Sequence, residues 1–227
     1  MKRSVSVTIV SGLAVSAFQV VALAQSHAAS AIPSPTVRAG SASAATLLGR
    51  ITTAVESNSG YKRSKFKQWT KIDKCDTRAR VLTQESLRPV TKTSSCRVVS
   101  GLWFSAYDGR TFTNAPSLDI DHMIPLAEAW GSGAKKWTAK KRERFANDTA
   151  FGGSLIAVSA SSNRSKGDRD PAEWSPPSGG FRCTYAKTWI AVKYRWRLSA
   201  DAREKAALRT MLSSCGNLSV GVPSRAN

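Results

Sequence analysis

Tyr185, Trp189, Val192 and Trp196 recur at intervals of 4, 3 and 4, the spacing of one helical face, and a second helical pattern follows at once. Asp201 can cap that second helix, with Glu204 completing a capping box. Ala207, Leu208, Met211, Leu212 and Cys215 form its apolar stripe, and Gly216 can end it. The link Arg197–Ala200 is short, so the two helices are expected to run antiparallel. The start of the first then lies beside the end of the second, and Cys183 and Cys215 occupy those ends. The tryptophans here read as core rather than as platforms for stacked bases.

The amino terminus makes those cysteines meaningful. Lys2 and Arg3 precede a stretch, Ser4 to Ala24, of mostly small and apolar residues, and several small-x-small cleavage sites follow. Residues 1–31 therefore read as a secretory signal peptide, and no other stretch is long and apolar enough to span a bilayer. In an exported chain, four cysteines imply two disulfides. Cys75, Cys96, Cys183 and Cys215 are spaced by 21, 87 and 32, unlike a paired CxxC zinc site. Three pairings exist; the helical hairpin favours Cys183–Cys215, and with it Cys75–Cys96. Each would stabilise by roughly 3 kcal/mol through loop closure.

Residues 32–44 are rich in Ala, Ser and Pro and read as a flexible lead-in, 45–216 as one compact domain, and 217–227 as a loose tail. Within the domain, Ala45–Val55, Ala127–Trp130 and Lys140–Ala146 look helical. Cys96–Ala106, Leu118–Ile124 and Leu155–Ser159 look like strands, giving an α+β class. Loss of the signal removes Lys2 and Arg3 and no acid, so the net charge falls only from +19 to +17. The excess is spread over Tyr61–Arg80, Lys135–Arg144, Asn163–Arg169 and Lys187–Arg209. Such a surface attracts polyanions, nucleic acid first among them.

The second of two histidines lies in Asp119-Ile120-Asp121-His122-Met123-Ile124-Pro125; the other, His27, falls in the signal. Imidazole is the side chain whose ordinary pKa suits proton transfer near neutrality, so histidine-dependent chemistry would fall to His122. In an extended strand Asp119 and Asp121 share one face and His122 takes the other, unless the strand ends there. Acids beside a base suggest a metal ion next to a proton acceptor. Further on, Leu155–Ser159 leads into Ala160-Ser161-Ser162-Asn163-Arg164-Ser165-Lys166-Gly167-Asp168. Asn163, at a helix start, offers a hard oxygen suited to Mg²⁺. Arg164, Lys166 and Arg169 offer charge for phosphates.

Strand with Asp-His, an excursion of about 30 residues, strand, then Asn on a helix: this order resembles the ββα-metal finger of HNH nucleases. Asp119–Pro125 resembles the first strand of the HNH domain in RNA-guided CRISPR nucleases, and Ser159–Asp168 resembles its metal-binding turn and helix. Leu126–Trp130, Phe145–Asp148 and Asp170–Trp174 extend the likeness to secreted bacterial HNH endonuclease-family proteins, from Cys75–Arg78 to Cys215. The resemblance implies a ββα finger embedded in a small, mainly helical, disulfide-stabilised domain. It implies one divalent cation, Mg²⁺ above all with Mn²⁺ as a substitute, held by Asp121 and Asn163, and His122 as the general base. It departs from the family at the middle Asn of the motif, whose place Ser154 takes, with Asn147 nearby but out of register. Asp119, Glu128 and Asp168 are further candidates to support or join the ligands.

The function so implied is a secreted, metal-dependent endonuclease of low sequence specificity, acting as a monomer on DNA or RNA, with no stable membrane association once the signal is gone. The rivals are a non-catalytic cationic protein that binds nucleic acid or another anionic polymer, and a hydrolase of some other polyanion. Chelation and substrate range separate the three.

Overall fold

The computed structural model describes residues 40–226, so the signal peptide, His27 and the lead-in up to residue 39 lie outside the described residues. Strand β1 (Ser41–Ser43) opens the fold and runs into helix α1 (Ala44–Gly49). Ser43 caps α1 by accepting from Thr46 N at 3.0 Å, and Ala44, Leu47 and Leu48 are buried. The helix stops at Gly49, short of the expected Val55, because the chain turns to join the end of the helical hairpin: Ala200 N donates to Thr52 O, and Thr53 bridges to Ala200.

A short antiparallel pair, β2 (Lys71–Ile72) and β3 (Cys75–Asp76), leads into α2 (Thr77–Glu85), which Asp76 caps through Ala79 N at 2.7 Å. Then β4 (Thr91–Lys92), β5 (Val98–Ser105) and β6 (Arg110–Asn114) form a three-stranded antiparallel sheet. The β5–β6 turn is Tyr107-Asp108-Gly109, where φ of +69° suits the glycine. Strand β7 (Leu118–His122) pairs antiparallel with β8 (Leu155–Ser159), setting Asp121 against Ile156 and His122 against Leu155. Between them the chain makes α3 (Leu126–Gly131), a 3-10 turn and α4 (Ala139–Ala146). Directly after β8 comes α5 (Ala160–Lys166), capped by Ser159 through Ser162 N. The strand, strand, helix unit expected around His122 is therefore present, within an α+β fold. Asn163 lies in the middle of α5 rather than at its start, because the cap is Ser159.

The helical hairpin is α6 (Gly179–Trp196) and α7 (Ala202–Ser213). Arg197, at φ 54°, turns the chain between them, and Cys183–Cys215 closes the hairpin with Cα atoms 5.6 Å apart. Cys75–Cys96 is the second bridge, at 5.1 Å. Asp201 caps α7 as expected, through Glu204 N. Glu204 does not complete the box: it is fully buried, its oxygens taken by Trp189 Nε1 and Lys193 Nζ.

The last segment is not a loose tail. Strand β9 (Ser219–Gly221) pairs with β1, Val220 is buried, and Ala226 N bonds Arg195 O. Two apolar clusters result. The larger gathers α1, α3, α6 and α7 around Tyr185, Trp189, Trp196 and Met123. The smaller lies among α2, β5, β7 and β8, around Leu82, Trp103, Leu118 and Ile120. Each such buried side chain contributes roughly 1.5–3 kcal/mol by leaving water. The β7–β8 hairpin is thus held from below while its His122 end stays at a cavity. Among the described residues no helix is long and apolar enough to cross a membrane.

Candidate active site

A cavity of about 240 Å³ opens where β7 ends, bordered by Asp121 and His122 from the strand, Asn163 and Arg164 from α5, Gly167 and Asp168 after it, and Arg63 from a separate loop. Asp121 and His122 alternate along the strand yet border the same cavity, because the strand stops there.

His122 is held rather than free. Its Nε2 lies 2.9 Å from the main-chain carbonyl of Ala146, at the end of α4, and its ring packs against Trp69 and Phe145 at 5.7 and 6.5 Å between centroids. A carbonyl only accepts, so in the neutral ring Nε2 carries the hydrogen and Nδ1 is left as the acceptor. Burial pushes the His122 pKa down to about 4, with the charges of Arg63 and Lys166 acting the same way and Asp121 and the Ala146 bond against it. The ring is neutral at pH 7.

Asp121 is clamped on one oxygen. Tyr107 Oη and Lys166 Nζ both donate to Oδ2 at 2.6 Å. Both donors are fully buried. Burial and the Asp121 charge raise the Tyr107 pKa well above its ordinary value, so the phenol stays a donor. Among the described residues none hydrogen-bonds Oδ1 of Asp121. Asn163 is oriented in the same manner: Nδ2 donates to Asp119 Oδ2 at 3.0 Å, which leaves its Oδ1 as the unengaged end. Asp119 thus acts behind Asn163. A carboxylate oxygen and an amide oxygen, each with its other end pinned and both on one cavity, suit a hard divalent cation. Asp168 borders the same cavity and is exposed.

Two sequence assignments need correction. Lys166 is no surface phosphate ligand: it is wholly buried, bonded to Asp121 and to the carbonyl of His122 at 2.8 Å, and sits over Tyr107 and Trp189. Helical phase decides this, since α5 lies on the core with Ser162 and Lys166 inward and Arg164 outward. Arg164 is exposed on the cavity, whereas Arg169 is exposed but does not line it, its Nε donating to Lys166 O.

Glu128 belongs elsewhere. It joins Glu56 and Glu204 around Lys193, whose Nζ lies 2.6, 3.2 and 2.5 Å from Glu128, Glu56 and Glu204 and 2.9 Å from Ser199 O. These three carboxylates could in principle ligate a metal, but the ammonium already sits among them. Burial lowers the Lys193 pKa and the Glu128, Glu204 and Glu56 charges more than reverse this, so it stays a cation. The cluster ties α3 to the helical hairpin, with the Lys193 ammonium occupying its centre.

Ser154 is bonded on both sides. Its Oγ donates to Asp148 Oδ2 at 2.9 Å, and its carbonyl accepts from Met123 N, the residue after His122. Asp148, which the sequence did not single out, also accepts from Trp196 Nε1 and Arg195 Nε. Asn147 ties α4 to the segment before β2 and to the start of α2, accepting from Thr70 N and Thr77 Oγ1. Arg63 and Tyr107 were missed as well. Neither is near the motif in sequence; only the basic run around Arg63 and the turn around Tyr107 were visible.

Comparison with known proteins finds a curated relative and a matching family. A "Uncharacterized secreted protein" of the fungus Arthroderma benhamiae is 42% identical over 186 residues, covering 81% of this chain and 90% of the relative. That relative is fungal, whereas the motif resemblance pointed to bacterial proteins. No solved structure matches. Residues 72–211, which include Asp121, His122 and Asn163, match the family described as "GmrSD restriction endonucleases, C-terminal domain". The chain therefore belongs to that family of endonuclease domains.

Proposed function

We propose that this protein is a secreted HNH-type endonuclease that hydrolyses phosphodiester bonds of DNA with little regard for sequence. One observation carries the reading. His122 is fixed through Nε2 with Nδ1 left to accept a proton, beside the unengaged oxygens of Asp121 and Asn163, in a cavity edged by Arg63 and Arg164.

His122 Nδ1 takes a proton from water as the water oxygen bonds to phosphorus, and the bond to the 3′ oxygen breaks. The carbonyl of Ala146 keeps the ring oriented throughout. Bound at Asp121 and Asn163, a divalent cation would supply charge stabilisation for the phosphate and the departing oxygen. Lys166 and Tyr107 hold Asp121, and Asp119 holds Asn163, so neither ligand must reorganise. Arg63 and Arg164 grip phosphate oxygens, and contacts to phosphate carry no base information. Membership in an endonuclease family supports the reaction class. The signal-like residues 1–31 and the fungal relative described as secreted support export.

The test is plasmid digestion by the mature protein. Cleavage with Mg²⁺ that EDTA abolishes is the expected result. Plasmid binding without strand breaks under any divalent metal would favour the non-catalytic cationic protein instead.

A further inference from the structure

A second and larger depression, of about 750 Å³, is lined by Thr70 and Asn147. Each is the chain neighbour of a residue that holds His122: Trp69 packs on its ring and the Ala146 carbonyl bonds its Nε2. Asn147 accepts from Thr70 N, so these two segments are joined.

The cleft is basic. Arg80, Lys140, Arg144, Arg195 and Arg225 line it, against Glu143 and Asp148. Asp148 is neutralised within the fold by Arg195, Trp196 and Ser154. Glu143 faces Lys67 and Lys140 at 3.8 and 3.6 Å. Arg80 is held at one end only, Nη2 to Thr77 Oγ1 at 3.0 Å, and its buried Nε has no partner among the described residues. The Lys140 side chain is 70% exposed. A polymer whose scissile phosphate occupies the His122 cavity carries further phosphates about every 3.4 Å of axis along each strand, and these need counter-charge within the same reach.

We infer that this cleft carries the phosphate backbone of the nucleic-acid substrate where it continues beyond the scissile bond. The inference rests on the nuclease reading and adds a substrate-binding surface to it. It makes the protein selective for polymers over short diesters, through Arg80 and Lys140.

The experiment compares wild type, Arg80→Gln/Lys140→Gln and the charge-retaining Arg80→Lys. Binding to a 20-base-pair duplex is titrated against salt in EDTA, and hydrolysis of bis(p-nitrophenyl) phosphate is followed with Mg²⁺. The double variant should bind the duplex more weakly, with a slope of log K against log salt shallower by about 1.8, at about 0.9 per lost phosphate contact. It should hydrolyse the small diester at the wild-type rate, which also reports an intact fold, and Arg80→Lys should keep the wild-type slope. An unchanged slope in the double variant overturns the cleft. Failure of wild type to hydrolyse either the diester or plasmid overturns the nuclease reading instead.

Discussion

Lys166 and Asp121 form a buried ion pair: Nζ lies 2.6 Å from Oδ2, with side chains 0% and 7% exposed. Because Lys166 also reaches the carbonyl of His122, one ammonium fixes both Asp121 and the strand end that carries His122. Removing one partner of such a pair costs about 3–5 kcal/mol. Lys166→Met should therefore lower the melting temperature markedly and lower cleavage. The slope of DNA binding against salt should stay unchanged, since Lys166 touches no phosphate. Arg164→Ala should do the reverse: full stability, and a slope shallower by about 0.9. Salt titrations of both variants check this.

Asp119 accepts from the Asn163 amide, and in the proposed site this turns the amide oxygen toward the cation. Asp119→Ala releases it and should weaken Mn²⁺ binding roughly 10–100-fold, the usual cost of losing a group behind a ligand. Asp119→Asn retains an acceptor and should lie near wild type. Calorimetry with Mn²⁺ decides; equal affinity in wild type and Asp119→Ala would remove Asp119 from the site.

Burial raises Glu56 to about 8, Glu204 to about 7 and Glu85 to about 7. A carboxyl raised on folding contributes stability that is full below its unfolded pKa and lost as pH rises through the folded value. His122, lowered to about 4, contributes stability that is present above about 6.5 and lost as pH falls toward 4. From pH 6.5 to 8.5 these glutamates tilt the curve downward, so the melting temperature should fall with rising pH. Glu56→Gln should flatten that fall, as melting scans across the window can show.

Local spacing made much of this legible. The apolar face Tyr185–Trp196, the Asp201 cap and the short link defined the α6–α7 hairpin, and with it Cys183–Cys215. Two short runs of strand-forming residues marked β7 and β8, and the resemblance to the ββα finger implied that they pair. What stayed hidden depends on distant partners. Lys166 reads as a surface charge until Tyr107, Trp189 and Asp121 surround it. Glu204 reads as a capping residue until Lys193 draws it inward. Ser219–Gly221 reads as a tail until β1, from the other end of the domain, gives it an edge to pair with. Arg63 reaches the cavity from a loop far outside the motif.

In the proposed reaction His122 is the base. Plasmid cleavage by His122→Ala with Mg²⁺ should be slower than wild type by about 10²–10⁴-fold, the usual worth of general base catalysis, with duplex binding in EDTA unchanged. Cleavage at a rate near wild type would contradict the account.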